Sequence, residues 1–266
     1  MIRAAVLGSP ISHSLSPRLH AAAYKYLGIE GSYVSFEVSS GTLKKFLSDK
    51  ESGWSGFSLT MPLKEEALTC AAVIDPLVQK IGCGNTLVKR DGKWHLYSTD
   101  VLGFQNSFKA RNVNFPSSVL IIGSGATARA AVAAFDDKNT QIQILHRNVD
   151  REVSLQSAVL NSSLKFHMWG EKLDFKTFDL VINTTPKFIL DELSKDISGK
   201  PKGVFFDVIY EPWPTDFANN WSSNGGEVIS GLELLIAQGV EQVKIFTGEE
   251  ISTDSLTAVL RKEFNL

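Results

Sequence analysis

The chain has 266 residues, of which 43% are hydrophobic and 21% charged, and its formal net charge at pH 7 is −2. A chain of this length exceeds the size at which one hydrophobic core is the usual solution, so we expect two domains. Its apolar runs fall far short of the roughly 18 residues that a membrane span needs, and it lacks the basic stripe that binds nucleic acid. We therefore expect no membrane and no nucleic-acid partner.

The first residues and the cysteines predict a cytoplasmic protein. Met1 leads directly into a strand-like run, without the basic start, apolar stretch and cleavage site of a secretory signal. Cys70 and Cys83 are too few for a disulfide framework and lack the paired spacing of a zinc site. We expect reduced thiols and no metal site, while the sequence leaves a monomer and a homodimer open.

In the first hundred residues, short apolar runs alternate with helix-period stretches, which is typical of an α/β fold. Pro17 behind Ser16 and Pro76 behind Asp75 predict two helix starts in which the serine and the aspartate are the N-caps. The strand-like runs are 4–7, 33–38 and 56–61.

From residue 86 the pattern predicts a hairpin, a connecting helix and a second α/β series. Asp91-Gly92 supplies the residues that a two-residue hairpin turn requires, so we expect an antiparallel part within a mostly parallel sheet. Residues 100–111 fit the connecting helix. Helices return after Gly231, and the last one begins near Ser252. The strands of the second series are 119–122, 142–145, 179–183 and 204–208.

A glycine-rich turn, Gly123-Ser124-Gly125-Ala126-Thr127-Ala128, joins the strand 119–122 to an alanine-rich helix. In a Rossmann unit the first glycine permits the tight turn, the second admits the pyrophosphate, and the third small residue lets helix pack on strand. The free N–H groups of the helix then bind phosphate. The turn predicts a dinucleotide site, although the motif alone also fits a turn without a ligand.

The end of the next strand favours NADP over NAD. It reads His146-Arg147-Asn148, about 20 residues past the glycines, where an NAD enzyme places an acidic residue against the ribose. Arg147 can hold a 2′-phosphate with its fork of N–H groups, and Arg151 can add a second fork. The alternative is two solvated surface arginines.

Several strand-like segments of the first half end in polar side chains. Ser14 and Ser16 lie beside a helix N-terminus and suit a carboxylate. The alternative is that Ser16 only caps the helix and Ser14 is only solvated. Lys64, Asn85 and Asp100 stand where open α/β sheets bind ligands. Hydride addition to a carbonyl needs a proton donor and a group that positions it, and Lys64 with Asp100 suits these roles.

Taken together, these motifs resemble the shikimate dehydrogenase family, NADP enzymes that interconvert 3-dehydroshikimate and shikimate. The motifs of the first half are Ser14-Leu15-Ser16-Pro17, Thr60-Met61-Pro62-Leu63-Lys64, Gly84-Asn85-Thr86 and Thr99-Asp100. Those of the second half are 123–129, 146–151, 182–186, 207–210, Gly231 and Gln238. The positions that depart from the family pattern are Gly84, Ser98, Val101, His146 and Asn148. These departures leave open a weaker hold on the 2′-phosphate and a different hydroxylated ring acid.

The resemblance implies a substrate domain of residues 1–101 plus 231–266, with a mostly parallel sheet, and a Rossmann-like NADP domain of residues 102–230. It implies that Lys64 and Asp100 are catalytic. The residues implied to hold the substrate are Ser14, Ser16, Thr60, Asn85, Tyr210 and Gln238. Those implied to hold NADP are Gly123, Ser124, Gly125, Ala126, Thr127, Ala128, His146, Arg147, Asn148, Arg151, Thr184, Val208 and Gly231.

Three other functions fit parts of the pattern. A quinate or amino-shikimate dehydrogenase, with NADP or NAD, would use the same motifs. A catalytically silent sensor of shikimate would keep the fold, but binding alone needs no proton donor such as Lys64. A folate-type dehydrogenase would leave the paired Ser14 and Ser16 without a purpose.

Overall fold

The computed structural model describes residues 1–49, 53–195 and 197–266. The chain divides into two compact units, each with a six-stranded sheet among the described residues. Unit 1 consists of Met1–Gly103 and Leu235–Leu266, and unit 2 of Phe104–Leu234. The predicted α/β class is confirmed, whereas the assignment of substrate and NADP to particular domains stays a prediction.

Strands and helices alternate along most of the chain. The strands are β1 (Ile2–Gly8), β2 (Gly31–Glu37), β3 (Gly56–Leu59), β4 (Val73–Ile74), β5 (Thr86–Arg90), β6 (Lys93–Tyr97), β7 (Ser118–Ile122), β8 (Gln141–His146), β9 (Ser163–Met168), β10 (Leu180–Asn183), β11 (Val204–Asp207) and β12 (Glu227–Ile229). The helices are α1 (Ser16–Leu27), α2 (Leu43–Asp49), α3 (Leu63–Glu66), α4 (Pro76–Ile81), α5 (Asp100–Lys109), α6 (Ala126–Ala134), α7 (Glu152–Gln156), α8 (Asp191–Ser194), α9 (Asp216–Ser223), α10 (Gly231–Thr247) and α11 (Thr253–Glu263).

The sheet of unit 1 has the strand order β2-β1-β3-β5-β6-β4. Strands β1, β2 and β3 are parallel, and β5 runs antiparallel to both β3 and β6. The predicted hairpin is confirmed, because Asp91 and Gly92 join β5 to β6 with φ angles of 49° and 74°. The carboxyl ends of β1, β3 and β6 and the amino end of β5 therefore meet at one edge of the sheet.

The sheet of unit 2 is entirely parallel, in the order β12-β11-β10-β7-β8-β9. This is the strand order of dinucleotide-binding folds. Successive strands are added on one side of β7 as far as β9 and on the other side from β10 to β12, and such sheets bind ligands at this change of side, between β7 and β10. The predicted strands β7, β8, β10 and β11 are confirmed. Strands β9 and β12 were not predicted from the sequence, because β9 buries only His167 fully and β12 has three residues.

Both sheets pack against apolar cores. In unit 1, Phe57 lies fully buried in a cluster with Leu7 and Trp54. In unit 2, Phe205 packs against Phe217 and Trp221, with ring centroids 4.5 and 5.8 Å from its own. The rows of buried residues in β7, β10 and β11 explain why their apolar runs stand out in the sequence.

One histidine lies inside the core of unit 1. The imidazole of His20 on α1 is completely buried and stacks on Tyr33, with ring centroids 3.9 Å apart. Burial lowers the pKa of His20 to about 3, although a hydrogen bond to Gln242 acts in the opposite direction. His20 is therefore neutral in the folded protein near neutral pH.

The buried His20 should make the protein less stable in mild acid. Between pH 6.5 and about 3 the unfolded chain binds a proton at this residue and the folded protein does not. The free energy of unfolding should therefore fall by about 1.4 kcal/mol for each pH unit below 6.5 through this residue alone. Urea unfolding of His20→Phe at pH 4.5, 5.5 and 6.5 should show a correspondingly flatter slope than the wild type. His13→Gln, at an exposed position, is the control, and identical slopes for wild type and His20→Phe would contradict the prediction.

Candidate active site

The polar residues predicted for the substrate lie mostly at one edge of the unit 1 sheet. The serine loop follows β1, Thr60 and Lys64 follow β3, Asn85 precedes β5, and Asp100 follows β6. Main-chain hydrogen bonds fix this arrangement: the N–H of Leu59 donates to the carbonyl of Asn85 at 2.7 Å, and that of Gly84 donates to the carbonyl of Lys64 at 2.9 Å. The sheet therefore places these residues where open α/β sheets bind ligands.

Lys64 and Asp100 form an ion pair. The Lys64 Nζ lies 2.7 Å from the Asp100 Oδ2, and the two side chains are 14% and 9% exposed. Lys64 belongs to the short helix α3, and Asp100 is the first residue of α5. An ammonium so placed is a proton donor held at a fixed point and only partly open to water.

Asn85 holds the carboxylate of this pair from the other side. Its Nδ2 donates to Asp100 Oδ1 at 2.8 Å and to Thr99 Oγ1 at 2.9 Å. Its Oδ1 accepts from the N–H of Thr99 at 2.8 Å and from Thr86 Oγ1 at 2.9 Å. Both donors and both acceptor positions of this buried amide are thus occupied within the chain.

Two more predicted substrate residues lie in unit 1. Gln238 on α10 is 9% exposed, and its Oε1 lies 3.3 Å from the Asn85 Nδ2, so the structure brings it to the same cluster. Its Nε2 donates to the carbonyl of Leu235 within its own helix. Thr60 is half-buried, with its methyl group against Gly8, and its hydroxyl has no hydrogen-bond partner within the described part of the chain.

The serine loop corrects one detail of the sequence interpretation. Ser16 was expected to be the N-cap of α1, but the N-cap position is held by Leu15, and the Ser14 Oγ accepts the N–H of Ser16 at 3.3 Å. The Ser16 side chain is instead buried and makes no cap hydrogen bond. Helix α1 therefore begins one residue earlier than the Ser-Pro pattern suggests. Asp75 does cap α4, as predicted, by accepting the N–H of Leu77 at 2.8 Å.

The turn between β7 and α6 has the features that a pyrophosphate needs. Gly123 has a φ of +117°, and a Cβ there would lie 2.3 Å from the Thr184 Oγ1. A Cβ on Gly125 would meet nothing within 4 Å, so this residue faces open space. Gly125 is the N-cap of α6 and supplies no side-chain cap, while Ala128 packs fully buried. Ser124, Ala126 and Thr127 complete the turn, and the set fits a dinucleotide phosphate.

Further predicted nucleotide residues surround the carboxyl ends of β10 and β11. The Thr184 Oγ1 donates to the carbonyl of Ile122 at 2.8 Å, which joins the end of β10 to the glycine turn. A Cβ on Gly231 would lie 2.1 Å from the Val208 carbonyl oxygen, so only glycine fits there. Burial raises the pKa of Asp207, against hydrogen bonds from Thr215, Ile209 and Asn183 that lower it. Tyr210, predicted to hold the substrate, follows β11 in unit 2 and is half-buried.

The basic residues after β8 differ in how they are presented. Arg147 is exposed, and its guanidinium lies 4.4 Å from the ring centre of Trp169. Asn148 is exposed too, and its side chain caps the turn that contains the half-buried Arg151. His146 is 1% exposed, with its Nδ1 3.0 Å from the Asn148 carbonyl oxygen. The structure thus presents Arg147 to a ligand, whereas the His146 imidazole offers no surface to one.

Two features are absent from the part of the chain that the structure describes. No helix within this part is long and apolar enough to cross a membrane. No group of three or more histidine, cysteine, aspartate or glutamate side chains within residues 1–49, 53–195 and 197–266 could hold a metal ion.

Comparison with known proteins decides the family. The model of the shikimate dehydrogenase substrate binding domain matches residues 6–87. A shikimate dehydrogenase (NADP(+)) from Ignicoccus hospitalis is 32% identical over 247 residues, which are 92% of each chain. This chain belongs to the shikimate dehydrogenase family. The resemblance inferred from the motifs is thereby confirmed.

Solved structures agree with this family at the level of the fold. Shikimate dehydrogenase from Mycobacterium tuberculosis superposes with a TM-score of 0.85 at 31% identity, over 98% of this chain and 100% of that one. The shikimate 5-dehydrogenase of Thermus thermophilus, in complex with NADP(H) and shikimate, gives a TM-score of 0.83 at 27% identity over 99% of this chain and 100% of that one.

Some departures from the family pattern have local reasons. A Cβ on Gly84 would lie 2.5 Å from the Leu96 side chain, so the bulk of leucine in β6 requires glycine at this position. Val101 is 5% exposed and belongs to the buried face at the start of α5. At the end of β8, the Nε2 of His146 lies 3.1 Å from Glu152 Oε1. This contact places the carboxylate of Glu152, the first residue of α7, next to the end of β8 that the basic residues follow.

Sequence reasoning missed several residues of the site. Trp169 supports Arg147 but follows β9, a strand that the pattern did not reveal. Gln242 bonds to residues around Asn85, and one signal could have found it, because it lies four residues after Gln238 and hence on the same helix face. Thr99 was noted only as part of a motif, although it makes two of the contacts of Asn85.

Proposed function

We propose that the protein is a shikimate dehydrogenase that catalyses the reversible, NADPH-dependent reduction of 3-dehydroshikimate to shikimate in aromatic amino acid biosynthesis. The observation that carries the proposal is the Lys64–Asp100 ion pair, 2.7 Å apart and largely buried at the ligand edge of the unit 1 sheet. A binding protein for shikimate would have no use for a proton donor in that position. Membership of the family supplies the substrate class.

The ion pair suits the proton transfer of this reaction. Reduction places a hydride on the carbonyl carbon and a negative charge on its oxygen, and bound NADPH supplies the hydride. An ammonium has three N–H donors, so Lys64 can bind Asp100 with one and the carbonyl oxygen with another. Lys64 then stabilises the developing alkoxide and gives it a proton, while Asp100 orients the ammonium.

The polar residues around the pair suit a hydroxylated ring acid. We assign the substrate carboxylate to Ser14, Ser16 and Tyr210, and the ring hydroxyls to Thr60, Asn85 and Gln238. Among the described residues the Thr60 hydroxyl has no hydrogen-bond partner. The Asn85 amide already has all its partners, so a substrate hydroxyl must replace one of its present contacts. An analogue without the matching hydroxyl would leave these buried groups unpaired, which is a strong basis for selectivity.

For the cofactor, we assign the pyrophosphate to the turn from Gly123 to Ala128 and the 2′-phosphate to Arg147, with Arg151 and Asn148 beside it. Thr184, Val208 and Gly231 shape the remaining surface around the strand ends. His146 contributes by holding the Asn148 main chain, since its own side chain is buried. This assignment rests on the open face at Gly125 and the exposed guanidinium of Arg147.

We also propose a cytoplasmic location, because Cys70 and Cys83 are both free thiols, as proteins of reducing compartments usually have. A monomer and a homodimer remain the two alternatives for the assembly. Light scattering of the purified protein would separate them.

A steady-state assay of the purified protein with two substrates and two cofactors tests the function. We expect kcat/KM to be highest with shikimate and NADP, and lower with quinate or with NAD. Faster turnover of quinate would assign the protein to a quinate dehydrogenase. Binding of shikimate without any turnover would contradict the proposal and identify a sensor.

A further inference from the structure

Behind the ion pair lies a second set of polar side chains that no role in substrate or cofactor binding accounts for. Tyr33, Ser58, Thr86 and Gln242 all belong to unit 1 and are 8%, 4%, 0% and 2% exposed. Buried polar groups are costly unless they are hydrogen-bonded. In this set each partner is another member of the set, a residue of the site, or His20, whose Nε2 lies 3.4 Å from Gln242 Oε1.

The hydrogen bonds of this set form a continuous chain. The Tyr33 hydroxyl donates to Ser58 Oγ at 2.6 Å, and Ser58 Oγ donates to Gln242 Oε1 at 2.7 Å. Gln242 Nε2 donates to Thr86 Oγ1 at 3.1 Å, and Thr86 Oγ1 donates to Asn85 Oδ1 at 2.9 Å. The Asn85 amide then donates to Asp100, which holds Lys64.

Gln242 is the member that joins the two halves of this chain. Ser58 on β3 and Thr86 on β5 are paired in register, and the amide of Gln242 on α10 bonds to both hydroxyls. A side-chain amide accepts at its oxygen and donates at its nitrogen at neutral pH, which is what these two hydroxyls require. Its Nε2 also lies 3.3 Å from the Asn85 carbonyl oxygen, so Gln242 contacts both the main chain and, through Thr86, the side chain of Asn85.

The far end of the chain is Tyr33 on β2, whose hydroxyl donates to Ser58. Burial raises the pKa of Tyr33, so its hydroxyl keeps its proton and remains a donor. Every donor from Tyr33 to Asn85 therefore points toward Asp100, and aligned hydrogen bonds strengthen one another.

We propose that Gln242 is a positioning residue, which fixes the orientation of Asn85 and thereby the placement of the Asp100 carboxylate beside Lys64. The inference rests on the proposed function, because the reaction depends on Lys64 being held where it can protonate the substrate oxygen. Without the Gln242 amide, no side chain among the described residues donates a hydrogen bond to Thr86 Oγ1, and the main-chain carbonyl of Asn85 loses its contact with Gln242 Nε2. The Thr86 hydroxyl can then turn away from Asn85 Oδ1, and the hold of Asn85 on Asp100 weakens.

Two substitutions on the chain of hydrogen bonds test the inference. Gln242→Met keeps the length of the side chain and removes both polar ends, and Thr86→Val removes only the hydroxyl between Gln242 and Asn85. Each should lower kcat for shikimate oxidation about 10- to 100-fold, and the double variant should be no worse than the more impaired single one. KM for NADP should stay unchanged in all three, because the residues assigned to NADP belong to unit 2.

A matched control separates positioning from loss of stability. Val243→Ala, also on α10 and fully buried, should lower the melting temperature without lowering kcat. If Gln242→Met does not fold, Thr86→Val carries the test with the same expected loss in kcat. Strictly multiplicative effects of the two substitutions, or a kcat that changes no more than in Val243→Ala, would overturn the inference while the proposed function stands. A wild type that does not turn over shikimate would overturn both.

Discussion

Replacement of Lys64 with alanine should lower kcat for shikimate oxidation by about 10³-fold, because the variant loses both the proton donor and the charge that stabilises the alkoxide. Binding of NADPH should be nearly unchanged, since the residues assigned to the cofactor belong to unit 2. Steady-state kinetics with shikimate and NADP, together with a fluorescence titration of NADPH, measure the two effects separately.

Two further variants make the Lys64 result interpretable. Lys25→Ala removes an exposed lysine of α1 in the same unit and should leave kcat unchanged. Asp100→Asn keeps the shape of the partner and removes its charge, so it should reduce kcat as well, through a lysine that is no longer held. An unchanged kcat in Lys64→Ala would exclude Lys64 as the proton donor, whatever the behaviour of Asp100.

Replacement of Arg147 with alanine should raise KM for NADP by about 10- to 100-fold, which corresponds to the loss of charge-assisted hydrogen bonds to a phosphate. KM for NAD should hardly change, because NAD has no 2′-phosphate. The same variant measured with both cofactors is its own control for folding. Arg147→Lys should recover only part of the affinity, since lysine keeps the charge but neither the planar fork nor the same stacking on Trp169.

Equal effects of Arg147→Ala on both cofactors would mean that the arginine contacts something that NAD and NADP share. The 2′-phosphate would then have to be assigned elsewhere among the residues after β8, with the half-buried Arg151 as the first to test. The structure favours Arg147, because its guanidinium is exposed and its stacking on Trp169 holds it in place.

The fold and the active site differ in how far the sequence predicts them. The apolar runs of β7, β10 and β11 predict strands because those strands are buried on both faces, whereas the polar edge strand β9 leaves no such run. The glycine turn was predictable as well, since Gly123 has a backbone conformation that other residues rarely adopt.

For the site, the polar residues at the strand ends indicated Lys64 and Asp100, and the resemblance to the family implied that they act as a pair. These signals were not enough for Gln242, whose role depends on contacts between residues far apart in the chain. The same limit explains the serine loop, where the Ser-Pro pattern predicts a cap at Ser16 but the structure buries that side chain and places Leu15 at the N-cap position. Local signals report what the backbone needs, and long-range packing settles which polar groups meet.

The discontinuity of unit 1 bears on the order in which the protein is made. Unit 2 uses one continuous stretch of chain, Phe104–Leu234, and can fold as soon as that stretch leaves the ribosome. Unit 1 must wait for Leu235–Leu266, which carry Gln238 and Gln242. We therefore expect a nascent chain to form the unit to which we assign the nucleotide before Gln238 and Gln242 can support the ion pair, so that enzymatic activity appears last during synthesis.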